Sequence, residues 1–184
     1  MARIWAFGDD LDTDQIVPGR YAPYMTGEHP ARYAFVERRP EFAGAVREGD
    51  VLTAGLNFGC GSSREYATEA LVGCRLAAIV ARSFARIFYR NAINLGLPLF
   101  EAPFAGDLPD GAEAEFDRGA SRLVVDGRAY QLQPLPPFQR EIIDAGGLVP
   151  YIRAHGRFPG TRALQDLDTS ESGAVAGHVR EAVR

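Results

Sequence analysis

The sequence predicts an α/β domain, with a mainly parallel sheet built from βαβ units and a small antiparallel β segment added to it. Two observations carry this prediction. Apolar runs at 51–54, 76–81 and 97–100 alternate with helix-like runs at 65–72 and 84–94, and strand, helix, strand, helix, strand in series requires crossovers between parallel strands. After Pro103 the pattern changes to short alternating segments at 112–116, 122–125 and 128–132. The last two are joined by Asp126-Gly127, a dipeptide that favours a type I′ hairpin turn.

A chain of 184 residues, 46% of them hydrophobic, is long enough to bury one good core and too short for two ordinary domains. The net charge of -4 and pI near 5.4 give no general attraction to nucleic acid or to an anionic membrane, so neither is expected as a partner. No stretch approaches the ~20 apolar residues of a membrane span. Met1-Ala2-Arg3-Ile4 leads directly into a strand-like segment rather than a signal peptide, and a cytoplasmic location is expected. Cys60 and Cys74 are too few for a disulfide framework and lack CxxC spacing. An iron–sulfur cluster takes three or four thiolates, so this chain cannot hold one by itself. All twenty cationic side chains are arginine, which excludes lysine Schiff-base chemistry.

Taken in order, residues 3–7 alternate like a strand and end at Gly8. The acidic loop that follows, Asp9-Asp10-Leu11-Asp12-Thr13-Asp14, lacks the glycine and distal glutamate of an EF-hand, so no metal is assigned to it. Residues 22–49, broken by Pro23, Gly27, Pro30 and Pro40, read as an excursion from the sheet with helical pieces at 31–37 and 40–46. Gly49-Asp50 turns into the strand at 51–54. The helix at 65–72 should close at Gly73, and the unbroken apolar run at 76–81 suits a strand covered on both faces. Ser83 is placed to cap the helix at 84–94, which stops at Gly96. Pro134 to Pro137 interrupts the sheet, residues 138–145 form a helix closed by Gly146-Gly147, and 148–153 add a further turn. From His155 onward few large apolar side chains remain. The chain therefore divides into a domain at 1–154 and a mobile tail at 155–184, with a weak helix at 175–183.

The stretch around which these elements are organised is Asn57-Phe58-Gly59-Cys60-Gly61-Ser62-Ser63-Arg64-Glu65. Its two glycines permit a tight strand-to-helix turn, and such a turn aims free N–H groups and a helix dipole at one spot, which suits an anion. It lacks the third glycine of a dinucleotide fingerprint, the Gly-Lys-Ser/Thr of a P-loop and the Gly-x-Ser-x-Gly of a hydrolase elbow. Ser62 followed three residues later by Glu65 has the spacing of a capping box, a reading that needs no function.

Residues 59–65 resemble the Gly-x-Gly-Ser-Ser-Arg-Glu signature of the swivelling domain of the aconitase superfamily. The longer string from Asn57 is similar to the small subunits of the 3-isopropylmalate dehydratase family, where that domain is a separate chain. Two further stretches share the resemblance: Asp12-Thr13-Asp14-Gln15-Ile16-Val17-Pro18-Gly19-Arg20-Tyr21, and the run from Ser83 to Pro98. The resemblance covers Arg3 to about Arg153 and implies a single swivelling β/β/α domain. It further implies a hydro-lyase that moves a hydroxyl between adjacent carbons of a hydroxy acid, in the leucine branch of amino-acid biosynthesis.

Such chemistry needs a base for a carbon-bound proton, a Lewis acid for the departing hydroxyl and cations for carboxylates. By the resemblance, Ser62 is the base, acting as an alkoxide supported by the helix N-terminus and Arg64. Arg20 and Arg64 hold substrate carboxylates, Ser63 donates to one, and Asp14 orients or activates the site. The Lewis acid is a 4Fe-4S cluster carried by a large partner subunit, with no cofactor and no metal on this chain. Tyr21, Ala22, Pro23, Tyr24 and Met25 occupy the family's substrate-selecting loop. Apolar and without a cation, they favour an alkyl-substituted malate over homoaconitate. One departure stands out, since Tyr66 replaces the histidine that commonly follows Ser-Ser-Arg-Glu. His29, His155 and His178 lie outside the motifs. Two alternatives remain at this point: a homoaconitase or other alkyl-malate hydro-lyase small subunit, and a non-catalytic anion-binding module.

Overall fold

The computed structural model describes residues 2–25, 30–62 and 64–160. One seven-stranded sheet organises them, in the order β4-β3-β2-β1-β5-β6-β7. The strands are β1 (Ala2–Ala6), β2 (Val51–Ala54), β3 (Ala78–Ala81), β4 (Leu99–Glu101), β5 (Glu113–Asp117), β6 (Arg122–Val125) and β7 (Arg128–Gln131). β1 to β4 pair in parallel, while β5 joins β1 antiparallel and continues into β6 and β7. The expected parallel units and the antiparallel segment are thus halves of a single sheet. Asp126 and Gly127 both have positive φ, 47° and 78°, the backbone that a type I′ turn demands.

The crossovers are α3 (Glu65–Gly73) and α4 (Arg86–Asn94). Alternation along the strands divides the core in two. Trp5, Leu52, Ile79 and Leu99 pack with Leu71, Phe88 and the excursion residues Phe35 and Phe42. Ile4, Val51, Val80 and Phe100 pack with Leu123, Val125 and the helix α5 (Pro137–Asp144). Phe100 of β4 lies 5.4 Å from Phe116 of β5, although four strand positions separate them in the sheet order. The sheet therefore rolls until its antiparallel half covers one face of its parallel half. The strands at 78–81 and 51–54 are buried at every residue, as a strand covered on both faces should be.

Smaller elements complete the chain: α1 (Thr13–Ile16), α2 (Phe42–Ala45), α6 (Leu148–His155) and 3-10 turns at Gly19–Tyr24, Pro30–Tyr33 and Ala105–Asp107. Two sequence expectations about helix ends need correction. Gly73 is the last residue of α3 rather than its left-handed stop, and that conformation falls on Arg75 (φ 54°). The glycine makes room instead, because a Cβ there would stand 3.2 Å from both Cβ and N of Ala31. Ser83 does not cap α4, which begins at Arg86 after Ala85. Its hydroxyl accepts the Asn57 N–H at 2.8 Å. Residues 161–184, and with them the expected helix at 175–183, lie outside the described residues. Among the described residues no helix is long and apolar enough to cross a membrane.

Candidate active site

Past the carboxyl ends of β1, β2 and β3 the three chains stay side by side and form a second, irregular ladder. Gly59 N–H donates to Leu11 O at 2.7 Å and Thr13 N–H to Cys60 O at 2.9 Å. On the other side Phe58 N–H donates to Ser83 O at 3.0 Å and Ala85 N–H to Phe58 O at 2.9 Å. The three stretches that carry the sequence resemblance are therefore hydrogen-bonded to one another, with 57–62 in the middle. They lie at the edge of a parallel sheet where α/β proteins place ligands.

The turn itself requires glycine twice. Gly59 (φ +77°) packs so close to α4 that a Cβ would come 2.2 Å from Cγ of Phe88. Gly61 (φ +89°) has more room, its nearest neighbour being Thr13 Oγ1 at 3.5 Å. The acidic loop opposite is used residue by residue. Asp9 accepts the Leu56 N–H, Asp10 the Asn57 side-chain amide, Asp12 caps α1 through the Gln15 N–H, and Asp14 accepts the Gly19 N–H at 3.2 Å. Among the described residues no three His, Cys, Asp or Glu side chains converge as a metal site.

Ser62 sits half-buried beside Thr13. The Thr13 side chain, itself buried, accepts the Ser62 N–H at 3.2 Å and donates to the Ser62 carbonyl at 3.3 Å. The Ser62 hydroxyl has no hydrogen bond to any described residue. The capping box expected from Ser62 and Glu65 does not form, because the N-cap position of α3 falls on Arg64, which makes no side-chain cap bond. Ser62 is pinned to Thr13 on the far side of Gly61, and the helix starts too late for its hydroxyl to reach. Ser63 lies outside the described residues.

Arg64 is half-buried; its guanidinium pairs with Asp14 and lies against Gly19, where a Cβ would meet its Nη1 at 3.1 Å. The Tyr66 ring stands 6.0 Å from it, so the residue in the family's histidine position faces a candidate substrate-binding cation. Arg20, next to Gly19 in the chain, is more exposed and pairs with Glu37. The Tyr21 hydroxyl first, then Glu37, hold its guanidinium more firmly protonated than usual. Both expected carboxylate-binding arginines are thus paired to carboxylates of their own chain. An open recess of about 320 Å³ beside them is lined by Asp12, Asp14, Gln15, Pro18, Glu37 and Arg38.

The expected substrate-selecting residues diverge in the structure. Pro23 and Tyr24 project outward on the 3-10 turn and Ala22 is half-buried. Tyr21 stacks on Tyr33 with centroids 5.5 Å apart, and Met25 turns into the core. Neither cysteine is a ready thiolate. Burial, then Asp12 and Asp10, push the Cys60 thiol above its ordinary range, and burial pushes Cys74 up to about 12. Sequence reasoning missed Thr13, Asn57 and Ser83. Thr13 carried a signal, a small hydroxylated residue between two aspartates inside a matching motif.

The aconitase C-terminal domain model matches residues 23–102. The 3-isopropylmalate dehydratase small subunit of Methanosarcina acetivorans is 50% identical over 153 residues, 82% of this chain and 94% of that protein. The homoaconitase small subunit of Thermus thermophilus is 50% identical over 162 residues, 87% of this chain and 99% of that protein. The crystal structure of a 3-isopropylmalate dehydratase chain from Methanocaldococcus jannaschii superposes with a TM-score of 0.75 at 42% identity, covering 83% of this chain and 92% of that one. Identity at this level over nearly the whole length of the relatives, on the same fold, means that the chain belongs to the family of 3-isopropylmalate dehydratase and homoaconitase small subunits, within the aconitase superfamily.

Proposed function

We propose that this chain is the small subunit of a 3-isopropylmalate dehydratase. It works as one half of a cytoplasmic heterodimer that converts 2-isopropylmalate to 3-isopropylmalate in leucine biosynthesis. The observation that carries the proposal is the state of Ser62. Its backbone is held at both ends by Thr13, its hydroxyl is left without a described partner, and Arg64 follows two residues later.

In this reading Ser62, as alkoxide, takes the proton from the carbon beside a substrate carboxylate. Hydroxide leaves the neighbouring carbon, a double bond forms, and water adds back with proton and hydroxyl exchanged. Arg64 and Arg20 bind the carboxylates bidentately. Asp14 keeps Arg64 in place before substrate arrives, and Ser63 donates to a carboxylate.

A 4Fe-4S cluster supplies the Lewis acid of this superfamily. The residues here do not fit it, because the Cys74 thiol is buried and donates to Ala70 O at 3.2 Å, while Cys60 lies on a different element. The cluster is therefore assigned to the large subunit. The apolar Pro23 and Tyr24 on the outer face of their turn favour a branched alkyl substituent. The Thermus thermophilus relative keeps homoaconitate as the second reading.

The test is Ser62→Ala in the complex reconstituted with its large subunit. Because Ser62 caps nothing, its melting temperature should match wild type, with a stability change within about 0.5 kcal/mol, and turnover should vanish. Activity within a few fold of wild type would reject the assignment. Comparing kcat/KM for 2-isopropylmalate and homoaconitate, before and after Pro23→Arg, decides between the two substrates.

A further inference from the structure

Next to the candidate site a groove of about 470 Å³ opens between the start of α4 and the 133–136 segment. Phe84, Leu99 and Leu135 supply apolar wall, and Arg86, Arg90 and Glu101 are its charged lining. Its size lies in the roughly 300–1,000 Å³ range of clefts that bury a ligand.

Two features set the groove apart from ordinary surface. Arg86 and Arg90 are four residues apart, so they share one face of α4 and repel each other. Neither has an ion-pair partner among the described residues, whereas Arg20 and Arg64 of the neighbouring motifs and Arg82 just before the third all do. Large apolar side chains and unpaired like charges at one concave place mark a surface awaiting a partner.

The location identifies that partner. Phe84 belongs to the wall of the groove and also bridges to Phe58 inside the signature turn, so groove and site are contiguous on one edge of the sheet. Under the proposed function a cluster-bearing subunit must cover Ser62, and its footprint then reaches the groove. We propose that the groove docks an acidic segment of the large subunit, with two carboxylates on Arg86 and Arg90 and an apolar side chain against Phe84 and Leu135. Glu101 fixes the direction of the segment by rejecting a third carboxylate. The inference rests on the heterodimer reading and adds the surface by which the heterodimer forms. Charge pairs of this kind act mainly on the association rate and fade with salt.

The experiment is association of the two purified subunits, followed by surface plasmon resonance at low and high salt. The variants are Arg86→Glu/Arg90→Glu, with Arg128→Glu on the β6–β7 hairpin, outside the groove lining, as a charge control. Circular dichroism and melting temperature establish that each is folded. The groove variant should weaken binding by about 30-fold at low salt, chiefly through a slower on-rate, with the gap narrowing at high salt. The control should bind like wild type. Wild-type affinity in the groove variant, or an equal loss in the control, overturns the inference while leaving the heterodimer intact. Unchanged association with lost turnover assigns the groove to substrate instead, and overturns it too. A wild-type chain that binds no large subunit rejects the proposed function together with this inference.

Discussion

Thr13 and Ser62 form a closed pair, in which one buried hydroxyl accepts from the serine's N–H at 3.2 Å and donates to its carbonyl at 3.3 Å. The pair is made by elements 49 residues apart, and it fixes the serine's backbone without touching its hydroxyl. Thr13 is therefore a positioning residue for the proposed base.

Thr13→Val keeps the shape and removes both bonds, leaving the Ser62 N–H without its partner. Stability should fall by about 1–3 kcal/mol. Turnover should fall by about 10²-fold, as a misplaced catalytic group requires, with KM within about threefold of wild type. Thr13→Ser, which restores the hydroxyl, should recover most of the rate. Equal rates in the valine and serine variants, measured in the reconstituted complex, would remove Thr13 from the mechanism.

Under the proposed function Glu37 competes with substrate for Arg20, since Glu37 and Arg20 are ion-paired at an exposed position. Glu37→Gln should therefore lower KM for the hydroxy acid by about two- to threefold and leave kcat alone, consistent with the small strength of surface pairs. The effect should shrink at high salt. A raised KM would mean that Glu37 orients Arg20 rather than distracting it.

The two glycines of the signature turn should respond differently to the same change. At Gly61 alanine meets only backbone strain, about 1–2 kcal/mol. At Gly59 the added carbon also collides with the root of the Phe88 side chain, which cannot swing away, and the loss should reach about 3 kcal/mol or more. Thermal melts should show Gly61→Ala folded a few degrees below wild type. Gly59→Ala should be lowered by about 10 °C or fail to accumulate. Similar melts for both would show that the α4 contact yields more easily than its geometry implies.

Much of this arrangement was legible in residue order because it depends on local patterns. Val51 to Ala54 is a strand where its apolar run placed it and Arg122 to Val125 where its alternation did, and Gly96 and Gly146 end helices in the left-handed conformation. What escaped depended on contacts between distant segments. Ser62 and Ser83 have cap spacing, but the cross-ladder to Thr13 and Asn57 takes one backbone and the other hydroxyl, and both helices start late. Met25 belongs to a loop that reads as surface, yet its side chain completes the core. The ion pairs that occupy Arg20 and Arg64 likewise join residues 17 and 50 positions apart, beyond what a motif can specify.

The order of strands has a consequence for how the chain is made. β1, the first of these seven strands to be synthesised, lies at the centre of the finished sheet, flanked by partners that begin at Val51 and Glu113. The parallel half can close once Glu101 has emerged, but β1 then presents an open edge until β5 arrives to pair with Ala2 and Arg3. For that interval the nascent chain exposes a template for pairing with the wrong neighbour. Synthesis paused between Glu101 and Glu113 is the point at which this subunit should most need a chaperone.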